Sequence, residues 1–327
     1  MSGMIERLYV IESNTYKPFH NQALEEILLN HVDQESLILY LWQNQNTIVI
    51  GKNQNPFNEC DVKKLEKENG YLARRLSGGG AVYHDLGNLN FTFLSHKKNY
   101  DVDKQTNVIL DAVNKLGLNA EKNGRNDLLI DGRKFSGHAY YSHGEQCYHH
   151  GTIMYDVDED ALSKYLHVSL LKLKEKNISS VRSRVINLKK LKDDLTISEI
   201  KKALIDAFED EYGMRSQILL ESSLDQKKLK ELEDRYSSPA WRYGKQKDYA
   251  YSIEKRFDFG IVKIEYDLNN EQISDLAIYT DSLNTDSIEQ MIDMLIGKNI
   301  DDLSDPEYDR IQKEITDFIM EERKCTM

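Results

Sequence analysis

Three stretches of this chain hold side chains whose types and spacing could do chemistry. The first, Tyr71 to Ser95, reads YLARRLSGGGAVYHDLGNLNFTFLS, with Arg74 and Arg75 before Ser77-Gly78-Gly79-Gly80 and His84, Asp85 and Asn88 after it. Successive glycines let the backbone approach a ligand with no Cβ in the way. Their amides can converge on an anion, and an arginine at the entrance offers a bidentate cation for phosphate or carboxylate. A bulge or tight corner would account for the triplet alone. It would not account for five polar side chains crowded around one turn. The chemistry indicated is small and phosphate-bearing.

The second stretch runs from Gly124 to Gly137, where Asp131-Gly132 between apolar and alternating runs signals a hairpin. Its arms bring Asn126 and Asp127 opposite Lys134 to Ser136, uniting a carboxylate able to hold Mg²⁺ with a lysine able to neutralise phosphate charge. An exposed hairpin with a surface ion pair is the plainer reading of the same residues. The third, Gln146 to Tyr155, carries Cys147, His149 and His150 on a strand. Adjacent residues of a strand point to opposite faces, so the two histidines cannot ligate one metal. Further on, Arg182 and Arg184, at i and i+2, share a face of an extended segment and follow Lys172, Lys174 and Lys176. That face could meet an acidic protein surface.

The elements that must position these residues follow from periodicity. A strand from Ile5 to Ile11 precedes a helix from His20 to Val32, whose Ala23, Leu24, Ile27 and Leu28 form one apolar face. Leu37 to Trp42 and Thr47 to Gly51 read as a hairpin turned at Gln43-Asn44-Gln45-Asn46. A polar loop follows, in which Lys52 and its neighbouring amides could line a ligand rim. Helices are expected over Asp61–Asn69, Lys104–Leu116, Asp158–His167, Thr196–Tyr212 and Leu224–Tyr236. From Tyr251 three alternating strands and two helices make a compact α+β unit.

Charge marks the same boundary. The 327 residues carry a net −12, but from Ser252 onward 19 Asp and Glu face 8 Lys and Arg, a net −11. The body before it is close to neutral and can bind anions locally, while the acidic end argues against nucleic acid as a partner. No apolar run of membrane-spanning length and no secretory signal pattern occurs, and three widely spaced cysteines suggest reduced thiols, so a cytoplasmic protein is expected.

Read in order, Arg74 to Asn88 (RRLSGGGAVYHDLGN), Gly124 to Asp127 (GRND), Gly132 to Ala139 (GRKFSGHA), His149 to Thr152 (HHGT) and Ser180 to Val185 (SVRSRV) resemble the lipoate-protein ligases of the biotin/lipoate ligase superfamily. The acidic unit is similar to that family's small accessory domain. The resemblance implies an α/β (α+β) catalytic domain over residues 1–246, a mixed sheet with flanking helices, and an α+β accessory domain over residues 247–327. It implies that lipoate and ATP give lipoyl-AMP and pyrophosphate, and that the lipoyl group then passes to a lysine of a lipoyl-domain acceptor protein. By the same resemblance Lys134 is the catalytic cation. Arg75, Gly80, Ala81, Val82, Tyr83, Ser136, Gly137, Ala139 and Thr152 join it in binding ATP and the adenylate. Arg75, Gly79, His84 and His150 join it in binding lipoate; from the residues themselves, Asp127 on the hairpin is expected to hold Mg²⁺, and the basic pair Arg182 and Arg184 to dock an acidic acceptor. The acyl slot is expected along Leu37–Trp42 and Leu89–Leu94.

Two other functions fit parts of the pattern. An ATP-independent octanoyl or lipoyl transferase of the same fold would work through a Cys147 thioester, with His149 close by. A non-catalytic module would only hold an acyl ligand, and would not need both Lys134 and Asp127. A biotin-protein ligase fits less well, because Ser77-Gly78-Gly79-Gly80 stands where that family has a glycine-arginine-glycine run.

Overall fold

A strand whose odd and even side chains are both buried needs a helical layer on each side, and residues 37–42 form such a strand. The structure is a computed structural model that describes residues 5–123, 127–167 and 185–326. Its elements are β1 (Arg7–Glu12), α1 (Pro18–His31), β2 (Ser36–Trp42), β3 (Thr47–Ile50), α2 (Pro56–Glu59), α3 (Val62–Lys67), β4 (Tyr71–Arg74), β5 (Val82–His84) and β6 (Asn88–His96). There follow α4 (Val102–Lys115), β7 (Glu121–Asn123), β8 (Asp127–Ile130), β9 (Arg133–His143), β10 (Gln146–Met154), α5 (Glu159–Tyr165), α6 (Ile197–Tyr212), β11 (Ser216–Ile218), α7 (Gln226–Ser237) and α8 (Pro239–Tyr243). The last are β12 (Tyr251–Phe257), β13 (Gly260–Asn269), β14 (Gln272–Thr280), α9 (Asp286–Leu295) and α10 (Arg310–Thr326).

The large mixed sheet has the order β11-β1-β2-β6-β10-β9-β8-β7. Leu37, Leu39 and Leu41 of β2 pack with Phe91 and Phe93 of β6 beneath α4 and α6. Ile38, Tyr40 and Trp42 face the opposite way, onto α1 and α7. The helices start and stop where local chemistry directs. Thr196 and Glu199 form a capping box at the start of α6, and Gly213 ends it at φ +68°. A second sheet, β4-β3-β5, stands beside the first and packs on α3 and α5.

The expected hairpin of Leu37–Trp42 with Thr47–Gly51 does not form. β2 pairs with β1 and β6 in the large sheet, whereas β3 pairs with β4 and β5 in the small one. The four residues between them are no hairpin turn because Asn44 is drawn inward, where Asn21 donates to it at 2.9 Å. The Asp131-Gly132 hairpin does form, with φ +50° and +72° at its two turn residues.

The carboxy-terminal unit is the antiparallel sheet β12-β13-β14 covered by α9 and α10. Its apolar core is drawn entirely from residues between Ile253 and Met320. Among the described residues no helix is long and apolar enough to cross a membrane.

Candidate active site

Between the small sheet and the face of the large sheet that carries α1 lies a cavity of about 320 Å³. Its floor is set by strand register. Gly137 of β9 pairs with Thr152 of β10, Thr152 with Asn90 of β6, and Asn90 with Trp42 of β2, and all four residues line the cavity. The glycine turn, Gly79 to His84, forms the opposite wall. Of the two stretches expected to line an acyl slot, Trp42 and Asn90 reach this cavity, and Asn88, just before the second, joins them. Leu89, Phe91 and Phe93 point the other way, into the α4–α6 core.

At one end stands Lys134, whose Nζ lies 2.7 Å from Asp127 Oδ1, both side chains a little over one-third exposed. The hairpin delivers this pair: Asp127 is the cross-strand partner of Gly137, and a register shift at Leu128/Leu129 swings the lysine back over it. Gly137 leaves the lysine its place, because a Cβ there would sit 2.6 Å from Lys134 Nζ and make the side chain shift. The Lys134 carbonyl accepts from Ile186 N–H at 2.9 Å, and Lys134 makes an isolated bridge with Val185, so its backbone is held from a second side.

Arg75 lines the cavity but spends its donors on the protein. Nε reaches Ser77 Oγ at 3.0 Å, Nη1 the Val49 carbonyl at 3.1 Å, and Nη2 the carbonyls of Gly78 and Gly80 at 2.7 and 2.8 Å. It therefore braces the glycine turn and offers a ligand its charge more than free N–H groups. Burial lowers its pKa only to about 10, so it stays protonated. Arg74 points away, donating to the carbonyls of Lys52, Gln54 and Trp241 at 2.7, 2.7 and 2.8 Å.

The interior end is polar. Glu25 of α1, almost fully buried, accepts from Thr92 Oγ1 at 2.7 Å and pairs with His150 Nδ1 at 2.9 Å. His150 Nε2 in turn meets Ser77 Oγ at 2.8 Å, which ties this network to Arg75 and the glycine turn. His149 faces the other side of the sheet, hydrogen-bonded to His138 at 2.9 Å and Gln105 at 3.1 Å. Burial holds His149 well below the usual imidazole range, and it pushes His84 and His138 down to about 3.

Of the residues singled out in the sequence, Arg75, Gly79 to His84, Lys134, Gly137, Ala139, His150 and Thr152 all line this one cavity. Ser136 does not, since it is buried and hydrogen-bonds His138 at 3.0 Å. Cys147 does not either: it is 2% exposed, paired in register with Ser95 and Ser142, and burial raises its pKa, the reverse of what a nucleophilic thiol needs. Arg182 and Arg184 lie outside the described residues, as does Asn126. Lys52 turns from the cavity to pair with Glu289 of α9 at 2.6 Å. Sequence reasoning missed Gln22, Glu25 and Leu283 as lining residues. The first two were legible only as polar positions beside the apolar face of α1. Leu283 comes from the carboxy-terminal unit and left no local signal.

Among the described residues no group of three His, Cys, Asp or Glu is arranged to hold a metal ion. Asp127, the carboxylate beside Lys134, suits a divalent cation whose other oxygen ligands come from a substrate.

The family model described as "Lipoyl protein ligase A/B catalytic domain" matches residues 17–209, and "Bacterial lipoate protein ligase C-terminus" matches residues 246–304. A relative named lipoate-protein ligase A, from Psychrobacter cryohalolentis, is 38% identical over 312 residues, 93% of this chain and 90% of the relative. The crystal structure of P. falciparum LipL1 in complex with lipoate superposes with a TM-score of 0.83 at 28% identity, covering 96% of this chain and 99% of that one. A lipoate-protein ligase A bound with ATP superposes with a TM-score of 0.63 at 27% identity, covering 74% of this chain and 99% of that one. With one catalytic model spanning more than half its length and a ligase aligned over nearly all of it, the chain belongs to the lipoyl protein ligase A/B family and is a ligase.

Proposed function

We propose that this enzyme activates lipoate with ATP and transfers the lipoyl group to a lysine of a lipoyl-domain acceptor protein. The observation that carries the reading is Lys134, fixed against Asp127 at the mouth of a slot closed on its other side by the glycine turn. In the first step the lipoate carboxylate attacks the α-phosphorus of ATP, the bond to the β-phosphate oxygen breaks, and pyrophosphate leaves with its electron pair. Two anions must approach, so positioning and charge neutralisation supply most of the acceleration. Lys134 and the Arg75 charge supply the neutralisation. The Glu25 carboxylate at the interior end disfavours a second carboxylate there, which orients the acid with its head toward Lys134.

In the second step the acceptor amine attacks the acyl carbonyl and AMP departs. The mixed anhydride is already activated, so no strongly shifted protein base is needed. The glycine turn and Leu283 keep water from the intermediate. Mg²⁺, entering with the phosphates of ATP, would be held mainly by their oxygens with Asp127 as its protein ligand, and supplies further charge neutralisation. Residues 1–246 would form the catalytic domain and residues 247–327 the accessory one.

Incubation with lipoate, ATP and a lipoyl domain tests the reading: pyrophosphate release and a lipoyl mass increment on the acceptor are expected, each dependent on ATP. Acyl transfer without ATP would refute it. The buried Cys147 predicts that Cys147→Ser keeps at least half of the ATP-dependent activity, and mass spectrometry should find no acyl adduct on the wild-type enzyme.

A further inference from the structure

The interior end of the cavity carries polar atoms that no protein group satisfies. Gln22, 2% exposed on α1, lines the cavity with neither amide atom hydrogen-bonded, and His84, 3% exposed, lines it with Nε2 unpartnered. The tautomer of His84 follows from its neighbours. Asn21 Nδ2 donates to the Gln43 carbonyl at 2.8 Å, which fixes that amide, and also to Asn44 Oδ1 at 2.9 Å. Asn44 therefore turns its Nδ2 toward His84 Nδ1, 3.3 Å away. Nδ1 accepts, so the ring proton is on Nε2, a donor without a partner. Burial, with Arg75 and His150 adding to it, keeps the ring neutral.

Register tells which part of a substrate meets these atoms. From Gly137, beneath Lys134, the floor steps through Thr152 and Asn90 to Trp42, which is three interstrand spacings or about 14 Å. The Trp42 ring packs edge-on against His84. An acid with its carboxylate at Lys134 thus carries its tail to His84 and Gln22.

Resting on the function proposed above, we infer that Gln22 and the Asn44–His84 pair make the slot selective for acids whose tail ends in hydrogen-bond-accepting heteroatoms, here the two ring sulfurs of lipoate, over a plain hydrocarbon tail such as that of octanoate. A hydrocarbon end displaces water from these groups and leaves them unpaired. A site built to hydrogen-bond its substrate rejects the analogue lacking the partner more strongly than an apolar slot that only gauges size. Sulfur is a weak acceptor, so the discrimination expected is about tenfold to a hundredfold, not more.

The test compares kcat/KM for pyrophosphate release with lipoate and with octanoate in the wild type, Gln22→Met, Gln22→Leu and His84→Phe. Calorimetric binding of each acid without ATP provides a second readout. Methionine keeps the length of glutamine and removes both polar atoms. Gln22→Met is expected to narrow the lipoate preference by about tenfold, mainly by improving octanoate, and the binding ratio should move with it. Should Gln22→Met and Gln22→Leu disturb α1, His84→Phe reads the same ratio from β5. A ratio unmoved in the folded variants, with lipoate still turned over, overturns the selectivity and leaves the ligase function standing. A wild-type enzyme that releases pyrophosphate with neither acid overturns the function itself, and the inference with it.

Discussion

At the scale of single residues, the site rests on one lysine and the glycine beneath it. Lys134 is a third exposed and its partner Asp127 equally so, so the pair contributes little to stability. On the proposed mechanism its value lies in charge placed where phosphate charge develops. Lys134→Ala should therefore leave the melting temperature nearly unchanged and slow pyrophosphate release at least a hundredfold, about 3 kcal/mol of transition-state stabilisation. Near-normal release would remove Lys134 from its role. Gly137→Ala probes the same point from below. The added methyl meets the flexible end of Lys134, at 2.6 Å from Nζ and 2.7 Å from Cε, so the lysine moves and the backbone does not. A folded protein with a rate reduced about tenfold or more is expected, read by circular dichroism beside a pyrophosphate assay.

At the scale of elements, β9 and β10 line the cavity on one face and carry a buried histidine pair on the other. His138 and His149, with His84 across the cavity, are held neutral by burial, two of them down to about 3. In the unfolded chain each titrates near 6.5. Below that value the unfolded state binds protons that the native state does not. Stability is then full above about pH 6.5 and falls by roughly 1.4 kcal/mol per pH unit for each such histidine as pH drops toward 3. Urea midpoints measured at pH 7, 6 and 5 should decline steeply, and His149→Gln should flatten the slope; equal midpoints would show that these rings are not buried neutral. The same strands show what a sequence can and cannot disclose. The Asp131-Gly132 turn is a local instruction, so the opposition of Asp127 and Lys134 was readable in advance. So was the divergence of His149 and His150, which needs only the two-residue period of a strand. The partners of β2 were not, because β6 lies some fifty residues downstream and nothing near Trp42 announces it. Gln22 and Glu25 escaped for a related reason: on an amphipathic helix a polar residue ordinarily marks the solvent side, and only the assembled cavity turns these two inward.

At the scale of the whole molecule, the carboxy-terminal unit closes the site through a handful of contacts. Gly79 N–H donates to the Ser282 carbonyl at 2.9 Å, Thr280 N–H to the Asn53 carbonyl at 2.8 Å, Lys52 pairs with Glu289, and Leu283 enters the cavity wall. The chain leading into this unit is tied to its own sheet by Lys245 and Lys247, each paired with Asp275. The carboxy-terminal core is built from its own residues, so the closure can be broken without unfolding it. Gly78 is the place to break it. A Cβ there would come within 2.3 Å of the Ser282 carbonyl oxygen, a backbone atom that cannot step aside as a side chain would. Gly78→Ala should push the unit off the glycine turn and admit water to the intermediate. Truncation after Lys247 should do the same more completely. Both variants are expected to form less lipoyl-AMP and to release free AMP and lipoate in its place, while using supplied lipoyl-AMP for transfer to a lipoyl domain far better than they make it. If Gly78→Ala lowers both half-reactions equally, the small unit holds the acceptor or the nucleotide itself, and its part in sheltering the adenylate is disproved.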